Sequence, residues 1–250
     1  MKAPTGKVKV DKTELVWLKA TYHLHTFAYR DPRSSFASGS ALPVVSPTTV
    51  LLGVASTLFS IGRDESALAC LSVAHECQVM IDSPDGVVFF RAFHQLRRYE
   101  TEKYGANPRF GLTKINQGTR EYGLVDGTIG LYVGVPIDLS AEVEVALTNL
   151  RHLGTHDSLC SLVDSVEVCQ KPEPTEVLYL PQSEMAEDLK SEVLNLLQQG
   201  VMMVTLSRFD RPIEQTLDHW HLAGGKDTEH VSYLIPGRYE GTTRGKIYRR

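Results

Sequence analysis

The sequence is poor in the features that most often announce a chemistry. Cysteine is scarce: four residues, at 70, 77, 160 and 169, with no pair at the two-residue separation of a zinc knuckle or a dithiol redox motif. They read as small core hydrophobes of a reducing compartment. No apolar run approaches the roughly 20 residues needed to span a bilayer, and the charged N-terminal stretch MKAPTGKVKVDKTE has no apolar signal-like segment. A cytoplasmic protein without a membrane partner is expected. An excess of positive charge is also lacking: 26 Lys and Arg stand against 30 Asp and Glu, a net of −4. That balance excludes a protein that coats nucleic acid with its whole surface. There is no Walker phosphate loop, no dinucleotide fingerprint and no G-x-S-x-G elbow. His152 with His156, and His219 with His221, lack a well-placed third ligand, so neither a metal nor another cofactor is expected.

What is present is an ordinary globular composition, 42% hydrophobic and 22% charged, over 250 residues. That length allows one large domain, or one domain with a substantial extension. The charge is placed unevenly. Between Arg91 and Arg120 seven cations (Arg91, Arg97, Arg98, Lys103, Arg109, Lys114, Arg120) face two acids (Glu100, Glu102), a local net of +5. A second basic end carries Arg238, Arg244, Lys246, Arg249 and Arg250 against Glu240. The stretch Glu173–Glu192 is instead acidic and suits solvent or a protein partner.

Patterning gives an ordered set of elements. Leu15–Tyr22 is β-rich and aromatic, a first strand. Ser46 and Pro47 form a helix start before the apolar Val50–Ile61, with Gly62 as its stop. Ala67–Glu76 suits a second helix, and Cys77–Ile81 and Val87–Phe93 flank the turn Ser83-Pro84-Asp85-Gly86 as a hairpin. Residues 94–125 show little periodicity and read as a long basic excursion. Thr128–Val135 is a strand, Ser140 caps a helix over Ala141–His152, and Leu159–Val168 is a strand. Strand, helix, strand, strand, helix, strand is the split βαβ order of a ferredoxin-like, RRM-like α+β domain, with either 87–93 or 128–135 as third strand. It spans residues 1–169, and 170–250 form a smaller α/β extension: strands at Glu176–Leu180, Val201–Leu206 and Val231–Ile235, and an amphipathic helix over Glu184–Gln199. The acids of that helix, Glu184, Glu187, Asp188 and Glu192, suit a basic neighbouring subunit.

Several residue groups suit single-stranded RNA, which needs cations for phosphates and flat rings for unstacked bases. Arg97, Arg98, Tyr99, Lys103, Tyr104, Arg109, Phe110, Lys114 and Arg120 combine both, although a solvated loop would carry the same charges. The helix start offers hydroxyls of Ser46, Thr48 and Thr49 as a phosphate cradle, with plain capping the stronger reading for Ser46. Arg30, Arg33 and Phe36 in the preceding loop add charge and a stacking face. His23 and His25 share a strand face and have the acid–base chemistry of an RNA-cleaving pair, yet that spacing is commoner in packing, and no catalytic residue is assigned.

The segments Ser35-Phe36-Ala37-Ser38-Gly39 and Leu42-Pro43-Val44-Val45-Ser46-Pro47-Thr48-Thr49-Val50-Leu51-Leu52-Gly53 resemble the strand, loop and P-[ST]-x-[ST]-x-[LIV]-x-G helix start of the fifth CRISPR-associated protein family, although here the two threonines are adjacent. Arg120-Glu121-Tyr122 and Leu131-Tyr132-Val133 resemble its middle strands, and Leu153–Leu159 its turn before the fourth strand. The resemblance covers roughly the first two-thirds of the chain. It implies a ferredoxin-like palm with a thumb at 94–125, and a non-catalytic RAMP-superfamily subunit of a Cascade-like ribonucleoprotein. Its implied partners are the 5′ handle of the guide RNA, the backbone and large subunits, and target DNA within the complex. A minority of the family cleaves precursor RNA, which keeps an endoribonuclease as an alternative; an unrelated protein-docking module is another.

Overall fold

A computed structural model describes residues 14–29, 31, 40–99, 113–155, 157–172, 180–181, 200–213, 228–242 and 245–250; for 94–99, 113–118, 180–181 and 242 only the backbone is described. Alternation sets the first strand, β1 (Leu15–Leu24): Leu18, Ala20, Tyr22 and Leu24 are buried, with Lys19, Thr21 and His23 on the opposite face. Helix α1 (Pro47–Ser60) begins where Ser46 accepts the Thr49 N–H at 3.2 Å, and it ends before Gly62 at φ 76°. Helix α2 (Asp64–Ser72) starts earlier than the apolar pattern suggests, because Asp64 and Glu65 sit favourably in its first turn.

Strands β2 (Gln78–Asp82), β3 (Gly86–Tyr99), β4 (Thr113–Asp126) and β5 (Ile129–Pro136) follow, then helix α3 (Ser140–Asn149) and strands β6 (Cys160–Leu162) and β7 (Glu167–Cys169). The main sheet runs β2-β5-β1-β6 with antiparallel neighbours throughout, and β7 also pairs with β1. Tyr22 donates its hydroxyl to the Leu147 carbonyl of α3, fixing that helix over the sheet. This is the ferredoxin-like α+β arrangement, with β5 as the third strand.

Four local expectations are corrected. Residues 78–82 and 87–93 do not pair with each other: β2 pairs with β5, and β3 with β4. The turn between them is instead a corner where the chain leaves the main sheet. Its geometry is held from afar, since Tyr248 donates to Ser83 Oγ at 3.1 Å and the Arg250 guanidinium to the Ser83 carbonyl at 2.9 Å. Gly127, at φ 84°, makes the adjoining return corner against the Asp85 side chain. Second, the excursion begins at Gly86 and is regular: β3 and β4 pair continuously from Gly86↔Asp126 to Tyr99↔Thr113. Fourteen residues per arm give a ribbon about 45 Å long. Third, Ser140 does not cap α3; its hydroxyl donates to Ile137 O, closing a 3-10 turn that leads in. Fourth, the strand expected at 159–168 is interrupted. The register changes from Tyr22↔Leu162 to Lys19↔Glu167, so two extra residues bulge between β6 and β7.

Beyond residue 170, β8 (Leu180–Pro181), β9 (Val201–Phe209) and β10 (Thr228–Pro236) form a sheet of order β8-β10-β9. The expected helix over 184–199 lies outside the described residues. The basic tail is a hairpin, β11 (Arg238–Thr242) and β12 (Gly245–Arg249), that extends the sheet of β3 and β4 to the order β11-β12-β3-β4. Fully buried Tyr248 drives this, because a tail anchored by an aromatic ring must pack on the body.

Candidate nucleic-acid interface

Two polar bonds close the root of the loop that carries Arg30, Arg33 and Phe36. The Leu42 N–H donates to Tyr29 O at 2.7 Å and the Asp31 N–H to Ser40 O at 2.8 Å. Those three side chains, with Lys103, Tyr104 and Arg109, lie outside the described residues. The loop root is welded to the ribbon. Glu121 of β4 accepts from the Ala41 N–H at 2.8 Å and the Ser40 hydroxyl at 3.2 Å, and pairs with Lys246 Nζ at 2.8 Å. Lys246 donates in turn to Ser40 Oγ and Ala41 O, both at 2.9 Å. Its ammonium stands 4.6 Å over the Phe89 ring and 4.7 Å over Tyr239.

Aromatic contacts continue from this junction to the start of α1. Phe89 meets Phe27 edge to face at 6.3 Å, and Phe27 stacks on Tyr29 at 4.6 Å. A Cβ built at Gly154 would lie 3.4 Å from both the Tyr29 ring and the Thr49 methyl, so ring and helix start converge there. The fold therefore gathers the loop root, the ribbon root and the α1 N-terminus, three segments far apart in sequence.

Within this junction the hydroxyl cradle divides. Ser46 is a structural cap: beyond the Thr49 N–H, its oxygen lies 2.8 Å from Thr49 Oγ1 and accepts from Ser207 of β9 at 3.1 Å. Thr49 shares that network. Thr48 is different, being 6% exposed with a hydroxyl that has no hydrogen-bond partner among the described residues. Tyr29 is in the same condition at 7% exposed. Burial pushes its phenol well above the usual range, so it stays a protonated donor. Each unpaired buried hydroxyl costs about 1–3 kcal/mol, which a ligand oxygen would recover.

On the ribbon, the expected Arg120 is exposed and is cross-strand partner to Ala92. For Arg97, Arg98 and Lys114 the backbone alone is placed; the register sets Arg98 directly opposite Lys114. The sequence reading missed the ring-bearing part of this surface. Phe90, 38% exposed, stacks on the buried Tyr122 ring at 5.8 Å and 24°, and Phe93 is 66% exposed beside exposed Arg91. Val87–Phe90 reads as a continuous apolar run, the signature of a strand buried on both faces, which hides an outward aromatic. His23 and His25 do share an exposed face, their rings 5.1 Å apart and T-shaped, with His25 Nε2 at 3.4 Å from Ser161 Oγ.

No helix among the described residues is long and apolar enough to cross a membrane. No protein-family model matches the chain, and no curated protein matches it. Solved structures do resemble it. A chain of a CRISPR RNA-guided surveillance complex is 14% identical, with 89% of each chain covered and a TM-score of 0.43. A CRISPR protein from Archaeoglobus fulgidus is 12% identical over 94% of this chain and 92% of its own, with a TM-score of 0.36. A chain of the Type III-B Cmr-beta complex bound to cognate target RNA is 10% identical with a TM-score of 0.44; the match covers 62% of this chain, which spans 61% of that one.

Proposed function

We propose that this chain is a CRISPR-associated surveillance-complex subunit, of the fifth family, that holds the 5′ handle of a guide RNA without cleaving it. The observation that carries this reading is the junction of Glu121 and Lys246, which fixes the root of the 30–41 loop against the root of the basic ribbon. The recognised helix-start motif opens α1 beside that junction, as such a binding segment requires. Cations along β3 and β4 and the exposed Phe90 and Phe93 rings of β3 supply the phosphate and base contacts of single-stranded RNA. Residues 1–169, joined by the 238–250 hairpin that carries Lys246 into the ribbon sheet, form the RNA-binding part, and the rest of 170–250 the extension. The partners are guide RNA, the CRISPR backbone and large subunits, and target DNA in the assembled complex.

The test is binding of labelled repeat RNA across a salt series. Replacing Arg91, Arg97, Arg98 and Arg120 by glutamine is expected to weaken binding and to flatten the slope of log K against log salt by roughly 0.7 per lost phosphate contact. An unchanged slope in a folded variant removes the ribbon from the interface, and no binding at all favours a protein-docking module.

The juxtaposed rings of His23 and His25 favour one second reading, an endoribonuclease using them as acid and base. Intact RNA maturation in the His23→Ala, His25→Ala double variant is the outcome expected here; bound but uncleaved RNA would establish the nuclease instead.

A further inference from the structure

A cleft of about 900 Å³ runs along α1 from its N-terminus, walled by residues 149–155 and by Thr205–Ser207 of β9. Its size falls within the roughly 300–1,000 Å³ of small-ligand sites. Three independent features of the wall agree on the ligand's chemistry. The N-terminus of the 14-residue helix α1 opens into it, presenting the positive end of the helix dipole. Thr48 and Tyr29, from different segments, both line it, and each is more than nine-tenths buried with its hydroxyl unpartnered among the described residues. Finally, exposed Arg151 stands on the wall while no carboxylate does among the described lining residues. Donors, a dipole and one cation without an opposing acid suit a phosphate; the exposed Ser56 hydroxyl farther along α1 suits a sugar.

We propose that this cleft binds a nucleotide 5′-phosphate, with Thr48, Tyr29 and Arg151 holding the phosphate and the α1 wall near Ser56 holding the nucleoside. It deepens the RNA reading above and rests on it only for the source of the nucleotide, an RNA 5′ end rather than a free mononucleotide.

The probe is adenosine 5′-monophosphate, titrated calorimetrically into the full chain with adenosine as control. Saturable binding of the monophosphate, at least tenfold tighter than adenosine, is expected. Thr48→Val, Tyr29→Phe and Arg151→Gln should each weaken it by roughly tenfold, since each removes a donor to a charged oxygen. Ser56→Phe, at an exposed position, should block binding by filling the cleft without disturbing the core. Equal binding of monophosphate and adenosine, or wild-type affinity in folded variants, overturns the site. The source is decided by competition with 5′-phosphorylated repeat RNA. Displacement of the monophosphate supports the RNA end. Binding of the monophosphate that this RNA never displaces leaves the cleft standing and removes the RNA source. RNA bound by the wild-type chain while the monophosphate does not bind it leaves the RNA reading standing and removes the cleft.

Discussion

Lys246→Met is the most informative perturbation of the junction. Methionine keeps the stem that packs between Phe89 and Tyr239 and deletes only the ammonium. The Glu121 carboxylate would then stand with its side chain 8% exposed and only the Ala41 N–H and Ser40 hydroxyl as donors. Removing one member of a buried pair costs about 3–5 kcal/mol in general. Here the Lys246 side chain is 23% exposed and Glu121 keeps two donors, which lowers the expectation to about 2–3 kcal/mol. With m near 2 kcal/mol/M in urea, the midpoint should fall by about 1 M. Pairing the variant with Glu121→Gln isolates the interaction. The double variant should lose clearly less than the sum of the singles, a coupling of at least about 1 kcal/mol. Urea unfolding followed by circular dichroism reads all four proteins. A midpoint within about 0.25 M of wild type for Lys246→Met, or additive singles, would refute the claim that this pair holds the loop to the ribbon.

Three further outcomes follow from the packing. Gly123→Ala should destabilise by about 1–3 kcal/mol in the same assay, because its Cβ would lie 2.5 Å from Phe27 Cζ and 2.8 Å from Val87 Cγ1. Burial pushes the thiols of Cys77 and Cys160 from 9.0 up to about 12, so alkylation of the native protein at pH 8 should be slow and should accelerate on unfolding. A folded pKa above the unfolded value means these thiols contribute stability that is complete below about pH 9 and is lost as pH rises towards 12; the urea midpoint should fall across that window.

The ferredoxin-like core was legible because its signals are local. A capped helix start at Ser46-Pro47 and the alternation of Leu15–Leu24 need no knowledge of the rest of the chain. The corner at Ser83–Gly86 was misread for the complementary reason. Its turn chemistry is real, but Tyr248 and Arg250, some 165 residues away in sequence, decide which strands flank it. The same distance hid the fate of the C-terminus. Read alone, Arg238–Arg250 is a basic tail; the burial of Tyr248 between Ser83 and Pro236 makes it two strands of the ribbon sheet.

Residue type identified the hydroxyl-rich helix start, but not which hydroxyl is available. A cap is fixed by backbone position, so Ser46 was assignable from sequence, and its oxygen is consumed accordingly. Whether Thr48 or Thr49 remains unpaired depends on where β9 and residue 154 approach α1. Ser207 reaches Ser46, whose oxygen also contacts Thr49, and Thr48 is left facing the cleft. Tyr29 follows the same logic. Its neighbours in sequence suggest a strand end, while its missing partner becomes visible only once Leu42, Phe27 and Gly154 close around it. A buried hydroxyl without a partner is a cost that folding alone does not explain, so Thr48 and Tyr29, unpartnered among the described residues, carry more weight than the capped group. The discriminating comparison is therefore Thr48→Val against Ser46→Ala. Valine at 48 removes an unsatisfied hydroxyl and should leave stability unchanged or raise it while weakening phosphate binding. Alanine at 46 removes a cap and should cost about 1 kcal/mol of stability, with phosphate affinity largely preserved. Urea midpoints and phosphate titrations of both variants separate the roles, and a reversal of the two patterns would reassign the cradle to Ser46.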